Sequence, residues 1–218
     1  MGSRNKLVKF EYLKKNDRAL EMGKDQFDNI KGKWHTTFFK NENPIVLEIG
    51  CGRGEYTIGL ADKFPEKNFV GIDIKGSRIY HGLKYATDHN LSNVGFLRSQ
   101  VLLLERFFEK GEVDEIWLTF PDPRPLDSDE RRRLFSPRFL KLYQQFLKDG
   151  GVLNLKTDNL GLFEYAHKLS KELKLKINAA TDDLYESSYL ELCHDIRTAY
   201  ERRYLSEGVK INYLQVVL

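Results

Sequence analysis

Short apolar runs alternate along this chain with longer stretches that have apolar residues at helical spacing. The runs of strand character cover residues 45–49, 68–73, 93–97, 113–120 and 152–156, and β-like runs return at residues 175–180 and 211–218. The helical stretches lie between them, from just after Gly54 to before Pro65 and over residues 76–89, 101–110, 138–148 and 160–173. Repeated strand–helix units predict an α/β fold with a mostly parallel sheet and helices on both faces.

The first 33 residues do not share this pattern. They are polar, basic and weakly periodic, which predicts an N-terminal arm that is mobile or partly ordered. Residues 34–218 of this 218-residue chain are then expected to form one domain. No apolar run reaches the length needed to span a membrane and no signal-peptide pattern precedes the basic N-terminus, so we expect a cytoplasmic protein.

The first apolar run ends in a glycine-rich turn. Glu48 is followed by Gly50, Gly52 and Gly54, a spacing that differs from the G-x-G-x-x-G of dinucleotide enzymes. Glycine suits a turn that needs a positive φ and a close approach of the backbone to a ligand. With the preceding acid, the turn favours S-adenosylmethionine over NAD as the ligand, although the turn alone does not decide between them, and such a turn is often only a structural loop.

Acidic residues fall at the end of four predicted strands. Asp73 closes the second run, and an acid there can accept hydrogen bonds from both ribose hydroxyls of an adenosine ligand. Asp122 and Asp158 follow the fourth and fifth runs as Glu48 closes the first. Since ligands bind at the carboxyl ends of parallel strands, these acids are expected to converge on one site. Each alone could be a helix cap or a solvated loop charge.

The loop after residue 120 combines a fixed acid with a run of cations. Pro121 and Pro123 flank Asp122 and fix its backbone, which suits a carboxylate held beside a reacting centre as well as a plain proline turn. Arg131, Arg132 and Arg133 follow, either as a solvated face or as phosphate contacts. The net charge is only +3, so this local clustering says more about partners than the total does. The two cysteines have no metal-ligand spacing, and no metal site is expected.

Five motifs together resemble the bacterial tRNA (guanine-N7)-methyltransferases, which modify guanine 46 in the variable loop. The motifs are the glycine turn at residues 48–54, Gly71-Ile72-Asp73, the loop at residues 120–133, Thr157-Asp158-Asn159, and the segment from Thr198 to Tyr204. The last two are the specific ones, because generic methyltransferases lack them. Taken alone, the last segment is typical of an amphipathic helix, and Glu201 of a surface ion pair.

The resemblance implies the seven-stranded, Rossmann-like fold of S-adenosylmethionine-dependent methyltransferases, with tRNA as partner and a monomer or homodimer as the assembly. It implies a cofactor pocket, a catalytic acid and a substrate subsite. The cofactor pocket would comprise Glu48, Gly50, Gly52, Gly54, Asp73, Gln100 and Asp122. Asp122 would also be the catalytic acid. The guanine or its nucleotide would be held by Asp158, Thr198, Tyr200 and Glu201, with phosphate contact from Arg131, Arg132 and Arg133.

The chain departs from the family pattern at several positions. Gln100 stands where the family has Asp or Asn, and its amide oxygen can still accept from an adenine amino group. In the loop, Arg124 replaces Trp, Leu126 replaces Lys and Asp129 replaces His. These changes affect the expected RNA contact more than methyl transfer. Two other classes stay open, a methyltransferase for another substrate and a non-catalytic RNA-binding relative.

Overall fold

The computed structural model describes residues 2–218, with side chains from Lys6 onward, so Met1 of the predicted arm lies outside the described residues. Within that range eight strands form one sheet, and six α-helices pack around it. The strands are β1 Ala19–Leu20, β2 Ile45–Ile49, β3 Asn68–Asp73, β4 Val94–Arg98, β5 Val113–Thr119, β6 Leu147–Thr157, β7 Lys176–Thr181 and β8 Asn212–Val217. The helices are α1 Gly2–Lys15, α2 Glu55–Lys63, α3 Gly76–Asp88, α4 Pro137–Tyr143, α5 Leu160–Glu172 and α6 Ala199–Ser206.

The strand order is β1-β4-β3-β2-β5-β6-β8-β7, and only the pairs that involve β8 are antiparallel. From β2 the chain adds β3 and β4 on one side and then returns to add β5 and β6 on the other side, so the strand order reverses between β2 and β5. Ligands of such sheets bind outside the carboxyl ends of the strands at that reversal. The predicted fold class is confirmed, and the short strand β1 adds an eighth strand to the seven that were expected.

The sheet has a hydrophobic core on each face. All five residues of β2 are buried, as expected for a parallel strand that is covered on both sides. Ile45, Leu47 and Ile49 belong to one buried cluster, whereas Val46 belongs to the other together with Trp117. This alternation shows that the two clusters lie on opposite faces, and it fixes the register of β2 between β3 and β5.

The helix predicted over residues 138–148 was too long. Helix α4 ends at Tyr143, and β6 begins at Leu147. Leu147 pairs with Val113 of β5, and regular pairing resumes at Val152 after an irregular stretch that includes Gly150 at φ +78°. Phe146, in the turn before β6, and Leu147, at the start of β6, are buried, so their apolar character reflects core packing and not a continued helix. The helix predicted over residues 101–110 is a short 3-10 helix, Val101–Arg106.

Part of the predicted N-terminal arm packs against the sheet. Leu13 at the end of α1 is buried, and β1 extends the sheet beside β4. Phe27 and Ile30 also enter the core. The division of the chain at residue 33 therefore remains a prediction. None of the helices in residues 2–218 is long and apolar enough to cross a membrane.

Candidate active site

The glycine turn joins β2 to α2 in a conformation that other residues rarely adopt. Gly50, Gly52 and Gly54 have φ values of +81°, +56° and +74°. A Cβ on Gly54 would lie 2.7 Å from the ring of Phe96, whereas one on Gly52 would meet nothing closer than 4.0 Å. Packing therefore requires glycine at position 54, and backbone conformation requires it at 50 and 52. The open space beside Gly52 is what close approach of a ligand to this backbone needs.

Asp73, at the end of β3, forms a hydrogen bond with this turn. Its Oδ2 accepts a hydrogen bond from the Gly52 N–H at 3.0 Å, and its Oδ1 accepts from the Lys75 N–H at 2.7 Å. Gln100 follows β4, the next strand along the sheet, and its side chain is exposed. The structure thus brings the glycine turn and Asp73 into direct contact and places Gln100 at the same carboxyl edge.

Glu48 lies beneath the turn and is only 3% exposed. Its Oε2 accepts from the Thr57 N–H at 2.8 Å and from the Thr57 hydroxyl, and its Oε1 accepts from the Thr119 hydroxyl. Burial raises the pKa of Glu48 to about 7, against the opposing effect of these hydrogen bonds. The side chain therefore braces α2 and β5 against β2 and supports the turn from below.

Asp122 follows β5 and is exposed at the carboxyl edge. Its carboxylate pairs with the guanidinium of Arg124, with Oδ2 3.1 Å from Nε, and Oδ1 accepts from the Arg124 N–H at 3.3 Å. Phe120 and Arg124 have φ values of +49° and +46°, an uncommon conformation for such residues. Because β5 lies between β2 and β6, Asp122 stands between Glu48 of β2 and the residues that follow β6.

The three arginines of the loop differ in their surroundings. Arg133 is 8% exposed, donates from Nε to the Arg124 carbonyl at 3.0 Å and lies over the ring of Tyr165 at 4.4 Å. Arg131 and Arg132 are exposed, and Arg132 pairs with Asp129 at 2.9 Å. Arg133 thus fixes the loop from inside, whereas Arg131 and Arg132 lie at the surface, Arg132 in its ion pair with Asp129.

A polar and aromatic cluster lies at the ends of β5 and β6. The Tyr200 hydroxyl donates to Oδ2 of Asp158 at 3.4 Å. The Tyr200 ring, 46% exposed, lies 5.2 Å from that of Phe120 and 4.6 Å from that of Tyr204. Partial burial together with Tyr204 and Asp158 raises the pKa of Tyr200, so the hydroxyl remains a donor. An exposed aromatic face beside a carboxylate can receive a flat base that carries N–H donors.

The side-chain oxygens of Thr198 and Glu201, in contrast, are bonded to other groups of the protein. The Thr198 hydroxyl oxygen accepts from the Glu201 N–H at 3.1 Å and caps α6. Glu201 is fully buried, 2.7 Å from Nζ of Lys156, and it accepts from the Tyr185 hydroxyl at 2.7 Å. Sequence reasoning missed Lys156, although a lysine that closes the predicted strand at residues 152–156 was a visible signal.

The other motif residues have local roles. In Thr157-Asp158-Asn159 the Thr157 hydroxyl oxygen accepts from the Asn159 N–H, and the Asn159 side chain caps α5. These bonds leave the Asp158 carboxylate to face the cluster. Within residues 2–218 no three His, Cys, Asp or Glu side chains are grouped as a metal site would require. Cys51 is buried, which raises the pKa of its thiol.

Comparison with known proteins yields a family and a fold. A family model described as "Putative methyltransferase" matches residues 42–214. A tRNA (guanine-N(7)-)-methyltransferase of Cytophaga hutchinsonii is 43% identical over 215 residues, covering 98% of this chain and 97% of the relative. That of Porphyromonas gingivalis is 50% identical over 186 residues, covering 85% of this chain and 75% of the relative. That of Clostridium acetobutylicum is 38% identical, covering 85% and 86%.

Solved structures with little sequence similarity share the architecture. The 16S rRNA methyltransferase KamB superposes with a TM-score of 0.64 at 16% identity, covering 91% of this chain and 95% of that one. A 16S rRNA (adenine(1408)-N(1))-methyltransferase from Catenulisporales acidiphilia, solved with the cosubstrate SAM, gives 0.56 at 15% identity, covering 85% and 90%. At such identity the likeness establishes the fold, which is that of S-adenosylmethionine-dependent methyltransferases.

Proposed function

Because this chain belongs to the family of tRNA (guanine-N7)-methyltransferases, we propose that it transfers a methyl group from S-adenosylmethionine to N7 of guanine in tRNA. The target we propose is guanine 46 of the variable loop. One structural observation carries the proposal. The two motifs that distinguish this family from other methyltransferases meet at the carboxyl edge of the sheet, where Tyr200 contacts Asp158.

The residues at the end of β2 and β3 fit S-adenosylmethionine. The space beside Gly50 and Gly52 admits a ligand against the backbone, and a Cβ there would meet no atom closer than 3.9 Å. Asp73 is oriented by the Gly52 and Lys75 N–H groups and can accept from ribose hydroxyls. Gln100 offers an amide oxygen to the adenine amino group. When bound, S-adenosylmethionine supplies a methyl group on a positively charged sulfur.

The reaction asks mainly for alignment and charge stabilisation. Guanine N7 carries an in-plane lone pair and no proton, so attack on a methyl group needs no strong base. The protein must hold N7 in line with the methyl group, and the entropy of that alignment is lost on binding. The purine becomes cationic as N7 is methylated. Asp122, between the cofactor acids and the Asp158 cluster, is suited to stabilise that charge.

Guanine presents N1–H and a 2-amino group on one edge, a donor pattern that adenine lacks. Asp158 is the partly exposed carboxylate that can accept from this edge, while Tyr200 and Phe120 offer aromatic surface for the base. Glu201 and Thr198, which the family resemblance also implies as guanine ligands, support this proposal less directly because their described contacts lie within the protein.

Phosphate contact in this proposal comes from the exposed Arg131 and Arg132. Arg133 contributes by shaping the loop, since its guanidinium donates to the Arg124 carbonyl. Leu126 and Asp129 replace a Lys and a His of the family loop, so RNA affinity rests more heavily on the two arginines. We propose that the protein acts in the cytoplasm, where tRNA is modified, as a monomer or homodimer.

Nucleoside mass spectrometry tests the reaction. Unmodified tRNA transcript, S-adenosylmethionine and the purified protein should yield 7-methylguanosine, and Asp122→Asn should yield it much more slowly. Lys148→Met is the matched control, because Lys148 pairs with Asp114 at the start of β5, at the opposite edge of the sheet. Methylation of another nucleoside, or no methylation by folded parent protein at saturating substrates, would refute the proposal.

A further inference from the structure

One ion pair in the described residues is buried on both sides. Nζ of Lys156 lies 2.7 Å from Oε1 of Glu201 and donates to Oε2 at 2.9 Å, with the two side chains 1% and 0% exposed. Removing both charges from water is costly, and such a pair adds little net stability compared with apolar residues of similar size. A role in geometry explains its presence better than a role in stability.

The pair belongs to a fully bonded network. Lys156 also donates to the Ile196 carbonyl at 3.1 Å and lies over the ring of Tyr56 at 5.3 Å. The Tyr185 hydroxyl donates to Glu201 at 2.7 Å. The network therefore connects the end of β6 with α6, with the segment before α6, and with α2. In such a network each bond restricts the direction of the next.

Helix α6 makes its buried contacts through Glu201. It is eight residues long, and Glu201 is its only buried residue. Short helices depend on tertiary contacts for their stability. Those of α6 besides Glu201 are at most partly buried: Leu205 packs against the apolar cluster that contains Trp117, and the Ala199 N–H donates to Glu55. The pair of Glu201 with Lys156 is the contact of α6 in which both side chains are fully buried, so we expect it to contribute most to the position of α6 relative to the sheet.

The same helix carries part of the candidate guanine site. Tyr200 precedes Glu201 in the chain, and Asp158 lies two residues after Lys156. The buried pair and the Tyr200–Asp158 hydrogen bond therefore join the same two elements at neighbouring positions. A shift of α6 would move Tyr200 away from Asp158 and from Phe120.

We propose that Lys156 is a positioning residue of the guanine site, which acts through Glu201 to hold α6 so that Tyr200 faces the substrate beside Asp158. The proposal rests on the proposed function for its effect on activity. The docking of α6 itself can be measured without any substrate, so failure of one can be told from failure of the other.

The primary variant is the double substitution Lys156→Met with Glu201→Met, which removes both charges at similar volume and avoids an unpaired buried ion. Amide hydrogen exchange should become at least about tenfold faster in residues 199–206, with the amides of β2 and β3 unchanged. Affinity for S-adenosylmethionine should stay within about twofold, while kcat/KM for a tRNA transcript falls by about 100-fold, the scale for a misplaced reacting group.

Lys67→Met is the matched control. Lys67 pairs with Glu115 at 3.6 Å before β3, at the opposite edge of the sheet, and it is partly exposed. In this variant the amide hydrogen-exchange rates of α6 and the kcat/KM for tRNA should equal those of the parent. Parent-like exchange in α6 and parent-like kcat/KM in the double Met variant would overturn the proposal.

The exchanged pair, Lys156→Glu with Glu201→Lys, separates positioning from direct contact of Glu201 with guanine. If Glu201 acts through position, the exchanged pair should recover at least about tenfold of the kcat/KM that Glu201→Lys alone loses, since the ion pair is restored. A folded exchanged variant with no recovery would contradict positioning through the pair. If the parent protein does not methylate tRNA, the proposed function fails. The amide hydrogen-exchange rates of α6 in the double Met variant still decide whether Lys156 holds this helix.

Discussion

Alanine substitutions in the loop arginines should separate RNA contact from loop structure. Arg131 and Arg132 are exposed, whereas Arg133 is 8% exposed and donates to the Arg124 carbonyl. Each phosphate contact contributes roughly 0.7–0.9 to the slope of log affinity against log salt concentration. Arg131→Ala with Arg132→Ala should therefore flatten that slope by about 1.5 units and weaken all tRNAs similarly.

Arg133→Ala should act on the loop itself. A hydrogen bond from a charged group contributes about 1.5–3 kcal/mol, and the contact with the Tyr165 ring about 0.5–2 kcal/mol. The free energy of unfolding should accordingly fall by about 2–5 kcal/mol. The salt slope should stay unchanged, and the methylation rate should fall because the loop that carries Asp122 loses its internal support.

Binding of a tRNA transcript, measured between about 50 and 200 mM salt, together with urea unfolding, checks both effects. Lys148→Met again serves as the control, since it removes a positive charge far from the site. The reasoning is refuted if Arg133→Ala flattens the slope by about half as much as the double alanine variant does and leaves stability unchanged. It is also refuted if the double alanine variant keeps the slope of the parent.

Three further changes test other parts of the site. Asp73→Ala should weaken S-adenosylmethionine by about 1.5–3 kcal/mol, and calorimetry with equal affinities would remove Asp73 from the pocket. Asp122→Ala should slow single-turnover methylation strongly with most tRNA affinity retained, and an unchanged rate would make the carboxylate structural. The raised pKa of Glu48, about 7, means that the folded state binds a proton that the unfolded state releases near pH 4.5. The free energy of unfolding of the parent, measured relative to that of Glu48→Gln, should therefore fall by up to about 3 kcal/mol as the pH rises from 4.5 to about 7, and it should stay constant at higher pH. Urea unfolding that gives the same difference at every pH would contradict this.

The sheet and the residues at its carboxyl edge could be predicted from the sequence because burial or backbone conformation restricts which residue types these positions accept. A strand such as β2 is buried on both faces, so it appears as a continuous apolar run. The positive φ of Gly50, Gly52 and Gly54 restricts those positions to glycine in the same visible way. Asp73 could be placed because it closes a strand adjacent to β2.

The direction of individual side chains could not be predicted in the same way. Three consecutive arginines are equivalent in sequence, and only the packing of Tyr165 and the loop carbonyls distinguishes Arg133 from the other two. Glu201 could be a surface charge or a ligand until Lys156, 45 positions away, is found against it. The end of α4 was misplaced because Phe146 and Leu147 fit a helical apolar face as well as a strand.

Mapping of the methylated nucleotide tests the central claim most directly. Two transcripts of one tRNA, with guanine or adenine at position 46, would be incubated with the protein and S-adenosylmethionine, digested, and analysed by fragment mass spectrometry. We predict one added methyl group, at N7 of guanine 46, and no methylation of the adenine-46 transcript. Equal methylation of both transcripts, or a methyl group on another atom of the base, would contradict the account.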